Sequence, residues 1–239
     1  QNHPQAPPKP PKTTPKSTKN PTSILSRLFD SYFPHLWSIL ASIWNPKPFQ
    51  NGAWTAKNSK IIKLVSGVLD KFKRIKVIDP VMVSRAGSRL ITDDAIKLYK
   101  DLIFPGASLL TPNIFEASLL SGVDIVDQDD VVKSAKNILA FGSGSVLIKG
   151  GGLHSLAGSD YYLDCDNREK WFHRNSIKTL NTHGSGCTLS ATITACLSKG
   201  HDLMTSINLA KDYMQLCLNN GMNIGSGSGI VGQFRDILA

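Results

Sequence analysis

The sequence has no run of about 18 consecutive apolar residues, which argues against a helix that spans a bilayer. Its four cysteines (Cys165, Cys187, Cys196 and Cys217) form no Cys-x-x-Cys pair and no zinc-ligand spacing. A disulfide scaffold and a structural zinc site are therefore not expected, and a reducing compartment is. Acid is in short supply, with 18 Asp plus Glu against 27 Lys plus Arg. The resulting charge of +9 is concentrated toward one end, because residues 1–50 hold six basic residues and the single acid Asp30. A nucleic-acid surface needs a basic stripe on a folded domain, so no nucleic-acid partner is expected. The remaining composition, 41% hydrophobic and 19% charged over 239 residues, excludes wholesale disorder and leaves ample sequence for a core.

Glycine is missing altogether from residues 1–50, although the chain has 19, and ten of the 13 prolines sit there. Up to Pro21 this stretch is Pro, Lys, Thr and Ser, a solvated polyproline-like tract that cannot bury enough surface to fold. Residues 24–44 (ILSRLFDSYFPHLWSILASIW) are apolar and aromatic. They read either as a targeting or membrane-surface segment or as sequence foreign to the domain that follows. Pro34 and the lack of an Arg-rich amphipathic pattern weigh against the first reading. The loss of glycine beside a Gly-rich domain favours the second, and no membrane partner is expected.

From about Lys57 the pattern alternates between helical and extended periods. Ile61, Ile62, Val65, Val68, Leu69 and Phe72 recur at helical spacing, and a short strand over 76–78 runs into Asp79-Pro80. The spacing predicts helices over 93–102, 114–121, 131–141, 187–198 and 203–218. It predicts strands over 108–110 and 145–149, and an antiparallel hairpin over 161–164 and 170–175. Strands alternating with helices imply an α/β fold with a mostly parallel sheet covered on both faces.

Four strand-end segments carry the chemistry. Asn181-Thr182-His183-Gly184-Ser185-Gly186-Cys187 opens an apolar helix. Two glycines let the backbone turn sharply, and the helix start presents unpaired N–H groups, so the turn suits an anion or the charge on a transferring phosphoryl group. The same field predicts a lowered thiol pKa for Cys187; the bland alternative is a small turn that merely starts a helix. Asp79, at the carboxyl end of a strand, suits a metal or its waters, or simply caps the next element. Asn113 and Glu116 are either oxygen ligands for a hydrated Mg²⁺ or a capping box. Lys149 ends a buried-type strand and leads into Gly150-Gly151-Gly152, which suits a phosphate contact better than a solvated surface lysine.

Taken together and in this order, DPVMV (79–83), TPNIFEA (111–117), KGG (149–151) and NTHGSGCTLSA (181–191) resemble the ribokinase-like superfamily. They are most similar to its hydroxymethylpyrimidine/phosphomethylpyrimidine kinases of thiamine biosynthesis. The similarity runs from about Lys57 to Phe234 and includes the Gly-rich segment 225–234. The resemblance implies in-line transfer from ATP, with Mg²⁺, to 4-amino-5-hydroxymethyl-2-methylpyrimidine and then to its monophosphate. It implies that Gly184, Ser185, Gly186 and Cys187 form the anion hole, with Cys187 catalytic at the acceptor. By the same resemblance Asp79, Asn113 and Glu116 organise Mg²⁺, partly through water, and Asn113, Thr182 and Lys149 contact the nucleotide. Val81 and Lys149 would meet the pyrimidine substrate. A cytoplasmic location is implied, or the plastid stroma in a eukaryote, and a homo-oligomer is left open.

Two features keep alternatives in view. A cysteine-type pyridoxal kinase shares the GxGC turn, and a non-catalytic nucleotide-binding remnant would share all four motifs. The family's Gly- and Ser-rich opening strand-loop and its following acceptor strands have no counterpart here. The expected division is therefore a non-homologous tail at 1–50, disordered or foreign, and a partial ribokinase-like domain at 51–239. Slow or absent turnover is expected of it.

Overall fold

A computed structural model describes residues 59–83, 88–224 and 227–233. All belong to the compact unit Ala53–Ala239. The expectations for residues 1–50 lie outside the described residues.

Among the described residues a five-stranded sheet carries the unit, and its order in space is its order in the chain. The first strand, β1 (Val77–Ile78), pairs in parallel with β2 (Leu109–Leu110), and β2 pairs in parallel with β3 (Ser145–Lys149). The hairpin β4 (Ser159–Asp164) and β5 (Glu169–His173) adds two antiparallel pairings, so four of the five strands share a direction. All five residues of β3 are buried, as befits a strand with a neighbour on each side and helices above and below.

Because strand side chains alternate, each strand feeds two cores. Ile78, Leu110, Val146, Ile148, Tyr161 and Leu163 face the first. That core is covered by α1 (Ser59–Lys71), α2 (Asp93–Leu98), α3 (Ile114–Ser121) and α4 (Gln128–Leu139). Val77, Leu109, Leu147, Tyr162 and Phe172 face the second core, under α5 (Ser185–Ser198) and α6 (Leu203–Asn219). The sandwich of helices on both faces is as the sequence implies.

The departures have local causes. The helix expected over 93–102 is α only to Leu98. It continues as a π turn (Tyr99–Ile103) and a 3-10 turn (Phe104–Gly106), where Pro105 has no N–H to continue an α ladder. The helix α4 begins at Gln128 because Asp127 caps it, accepting from the Asp130 N–H at 3.0 Å, so its polar first turn escapes the apolar count.

Candidate active site

The carboxyl ends of the three parallel strands and the start of α5 meet at one rim. Lys149, the last residue of β3, donates its backbone N–H to Pro112 O and pairs with Asn113 in a parallel bridge, which joins the ends of β2 and β3. Its side chain is 9% exposed, and Nζ lies 2.9 Å from Asp79 Oδ1 at the end of β1. The ammonium also faces α5: a Cβ added to Gly186 would stand 3.2 Å from Lys149 Nζ. A lysine held this way is a fixed positive charge beside a helix N-terminus.

The loop into α5 is shaped for that approach. Gly184 is the N-cap with φ 84°, in the left-handed region where an L side chain is strained, and no side chain caps the helix. The Ser185 N–H donates to Thr182 O, and Thr188 N–H to Gly184 O. Between them the Gly186 and Cys187 N–H groups head the helix, beyond reach of the intrahelical ladder. The closing segment steadies the loop: His183 N–H donates to Gly229 O, and Val231 N–H to His183 O.

Cys187 is exposed at this mouth. Its thiol is nevertheless pushed above its ordinary pKa, which corrects the expectation of a lowered one. The protein crowded around the sulfur removes water from a thiolate, and the Asp79 carboxylate pushes the same way. Lys149 opposes both, Glu116 adds to the rise, and the Cys187 backbone N–H lowers it without restoring the balance.

Asn113 and Glu116 form the capping box of α3. Asn113 Oδ1 accepts from the Glu116 N–H at 3.0 Å, and Glu116 Oε2 accepts from the Asn113 N–H at 2.9 Å. Glu116 Oε1 accepts from the Met82 N–H at 3.1 Å, which ties the segment after β1 to α3. Glu116 is buried, and loss of water raises its pKa. The Asn113 N–H, Lys149 and the Met82 N–H restrain that rise, while Asp79 adds to it. Val81, 51% exposed, stands on the open side of the same segment.

Two groups escape a reading of the sequence. Ser190 Oγ on α5 lies 3.1 Å from Asp79 Oδ2 and 2.9 Å from Thr111 Oγ1, joining the helix to β1 and β2. Asp160 and Lys211 form a buried pair at 2.6 Å. Asp160 Oδ1 also accepts from the Gly150 N–H at 3.0 Å, so the pair anchors the turn that follows Lys149. Lys211 does leave a trace, since it occupies a core position between Ile207 and Met214 where the helical period calls for an apolar residue. A cavity of about 130 Å³ opens between α5 and α6, with Lys149, Gly186, Lys211, Leu189, Met214 and Leu218 in its walls.

Among the described residues, no group of three His, Cys, Asp or Glu side chains lies close enough to hold a metal directly. Nor is any helix among them long and apolar enough to cross a membrane.

Residues 55–232 match the family model described as phosphomethylpyrimidine kinase. The chain belongs to that family. The hydroxymethylpyrimidine/phosphomethylpyrimidine kinase of Synechococcus elongatus is 39% identical over 178 residues, covering 74% of this chain and 67% of the relative. An ADP complex of pyridoxal kinase from Bacillus subtilis has a TM-score of 0.68 at 31% identity, covering 75% of this chain and 68% of that one. Pyridoxal kinase from Staphylococcus aureus in complex with AMP-PCP has a TM-score of 0.69 at 25% identity, covering 91% and 76%. The ribokinase-like fold implied by the sequence is thus borne out. The chain spans about two thirds of the length of the curated bacterial kinases it matches.

Proposed function

We propose that the chain carries the phosphoryl-transfer site of a hydroxymethylpyrimidine/phosphomethylpyrimidine kinase, using ATP as donor. The observation that carries the reading is the Lys149 ammonium, paired with Asp79 and set against Gly186 at the head of α5. A fixed cation beside outward-facing N–H groups stabilises the charge on phosphoryl oxygens as the bond to the leaving group breaks. Residues 184–187 form the anion hole and Lys149 contacts the phosphates, with Thr182 and Asn113 lining the phosphate path. Leu189, Met214 and Leu218 in the adjoining cavity suit the flat base of the nucleotide. Val81 and Cys187, both exposed at the rim, face the acceptor.

Both oxygens of Asp79 and both of Glu116 already accept hydrogen bonds, and Asn113 Oδ1 serves the cap. That donor set fits a Mg²⁺ that keeps its waters, which Asp79, Asn113 and Glu116 would hold through them. When bound, the ion neutralises phosphate charge.

Cys187 is the group placed to exchange a proton with the acceptor hydroxyl. Its raised pKa means that it starts as a thiol, so turnover is expected to climb through the alkaline range as thiolate forms. The pyridoxal kinases among the structural neighbours make pyridoxal the competing acceptor. A coupled ADP-release assay with hydroxymethylpyrimidine and pyridoxal in competition tests the reading. It is run on this chain and on a fusion carrying the preceding segment of a relative. Slow pyrimidine-dependent release by the chain and faster release by the fusion are expected. Release driven by pyridoxal alone, or none from either protein, would refute it. In the fusion, Cys187→Ala is expected to cut turnover at least about a hundredfold and to leave ATP affinity nearly unchanged.

A further inference from the structure

We propose that Ser190 is a positioning residue for the Lys149 ammonium and acts through Asp79; the inference rests on the kinase reading above. Ser190 lies one turn beyond Gly186 on α5, and its side chain is buried. Three oxygens surround its Oγ: Asp79 Oδ2 at 3.1 Å, the Gly186 carbonyl at 3.1 Å and Thr111 Oγ1 at 2.9 Å. A hydroxyl has one proton to give. Between a carboxylate and a helical carbonyl at equal distance, the charged acceptor takes it. Thr111 must then be the donor to Ser190, and its 3.4 Å approach to Ile78 O becomes secondary.

The order of protons is thereby set. Thr111 donates to Ser190, Ser190 donates to Asp79 Oδ2, and Lys149 donates to Asp79 Oδ1. With one oxygen held from α5 and the other from β3, the Asp79 carboxylate cannot turn. The ammonium therefore stays at the helix head. Removing the Ser190 hydroxyl frees Oδ2 and lets the carboxylate rotate, and Lys149 follows it away from Gly186. Thr111 keeps a carbonyl partner in Ile78, so no buried donor is orphaned and the fold loses little.

Titration calorimetry with AMP-PCP tests this on the whole chain, using wild type, Ser190→Ala, Ser190→Thr, Lys149→Met and the Ser190→Ala/Lys149→Met double variant. Ser190→Ala is expected to weaken binding about tenfold, the scale of a lost hydrogen bond to a charged group. Ser190→Thr, which keeps the hydroxyl, is expected to restore it. In the Lys149→Met background, titrated without Mg²⁺ so that Asp79 has no ion to hold, Ser190→Ala is expected to add nothing, because Asp79 then reaches the ligand through that lysine alone. Unchanged affinity in Ser190→Ala, or an equal loss in both backgrounds, would overturn the inference. If Ser190→Ala melts well below wild type, Ser190→Cys keeps the volume with a weaker donor and carries the same expectation. Intact coupling without acceptor-dependent ADP release would fail the kinase reading alone. Additive losses with normal release would fail the Ser190 inference alone. A wild-type chain that does not bind AMP-PCP overturns both.

Discussion

Lys211→Met removes one ammonium and keeps most of the side-chain stem, so it isolates the charge of the buried pair. In the native chain Lys211 and Asp160 side chains are 6% and 9% exposed and lie 2.6 Å apart. Lys211 Nζ also donates to Gly158 O at 3.0 Å. Once the ammonium is gone, the Asp160 carboxylate stays buried with only the Gly150 N–H as a partner. Breaking a buried pair from one side costs about 3–5 kcal/mol, since the remaining charge has neither water nor counter-ion. At roughly 2–4 °C of melting temperature per kcal/mol for a domain of this size, the fall is about 6–20 °C. The matched control is Lys97→Met. Lys97 pairs with Asp101 at a similar 2.7 Å but is 77% exposed, and its loss is expected to leave the melt unmoved. Melting both variants by circular dichroism decides the matter. Similar shifts for the two, or stability retained in Lys211→Met, would show that burial does not govern this pair.

Other perturbations separate stability from binding. Gly186→Ala places a Cβ 3.2 Å from Lys149 Nζ and displaces the ammonium by a few tenths of an ångström, while alanine favours the helix. Melting temperature is expected to hold or rise, with AMP-PCP affinity reduced roughly fivefold or more by titration. Glu116→Gln leaves one carbonyl oxygen to serve both the Asn113 and Met82 N–H groups and turns an NH₂ toward one of them. It is expected to cost about 1–3 kcal/mol by denaturant titration. Asp164 is buried, which pushes its pKa up, yet the Arg168 N–H, the Arg168 guanidinium and the Asp166 N–H hold it below its ordinary value. Its stabilisation is therefore present above the unfolded value near pH 4 and is lost as pH falls through the lower folded value. Asp164→Asn is expected to flatten acid unfolding in that range, measured as denaturant midpoint against pH.

The sequence made some of this plain and hid the rest for physical reasons. The strand over 145–149 and the helix over 114–121 stand where the sequence puts them, because the strand is an apolar run buried along its length and the helix carries its own end signals, the Asn113–Glu116 capping box and Gly122. The start of α5 was visible only from Cys187 onward, since Ser185 and Gly186 carry no periodic signal. The thiol pKa went the wrong way for a related reason. A helix N-terminus can be read locally, but the packing that takes water from the sulfur, and after it the charge of Asp79 108 residues earlier in the chain, reach Cys187 only through the fold. Ser190 shows the same limit. Its place one turn after Gly186 is legible, yet nothing in the sequence indicates that two strand ends converge on its hydroxyl.

The sequential strand order also bears on how the molecule comes to be built. Since β1 through β5 lie side by side in the order of synthesis, none of the described strands has to be inserted between two that are already paired. Each new strand arriving from the ribosome meets an open edge left by the one before it. The hairpin of β4 and β5 closes locally, and only the crossovers between parallel strands demand long loops. Such a sheet can grow from one side as the chain emerges, with the local β4–β5 hairpin closing quickly and the β1–β2 and β2–β3 pairings, each more than thirty residues apart, setting the pace.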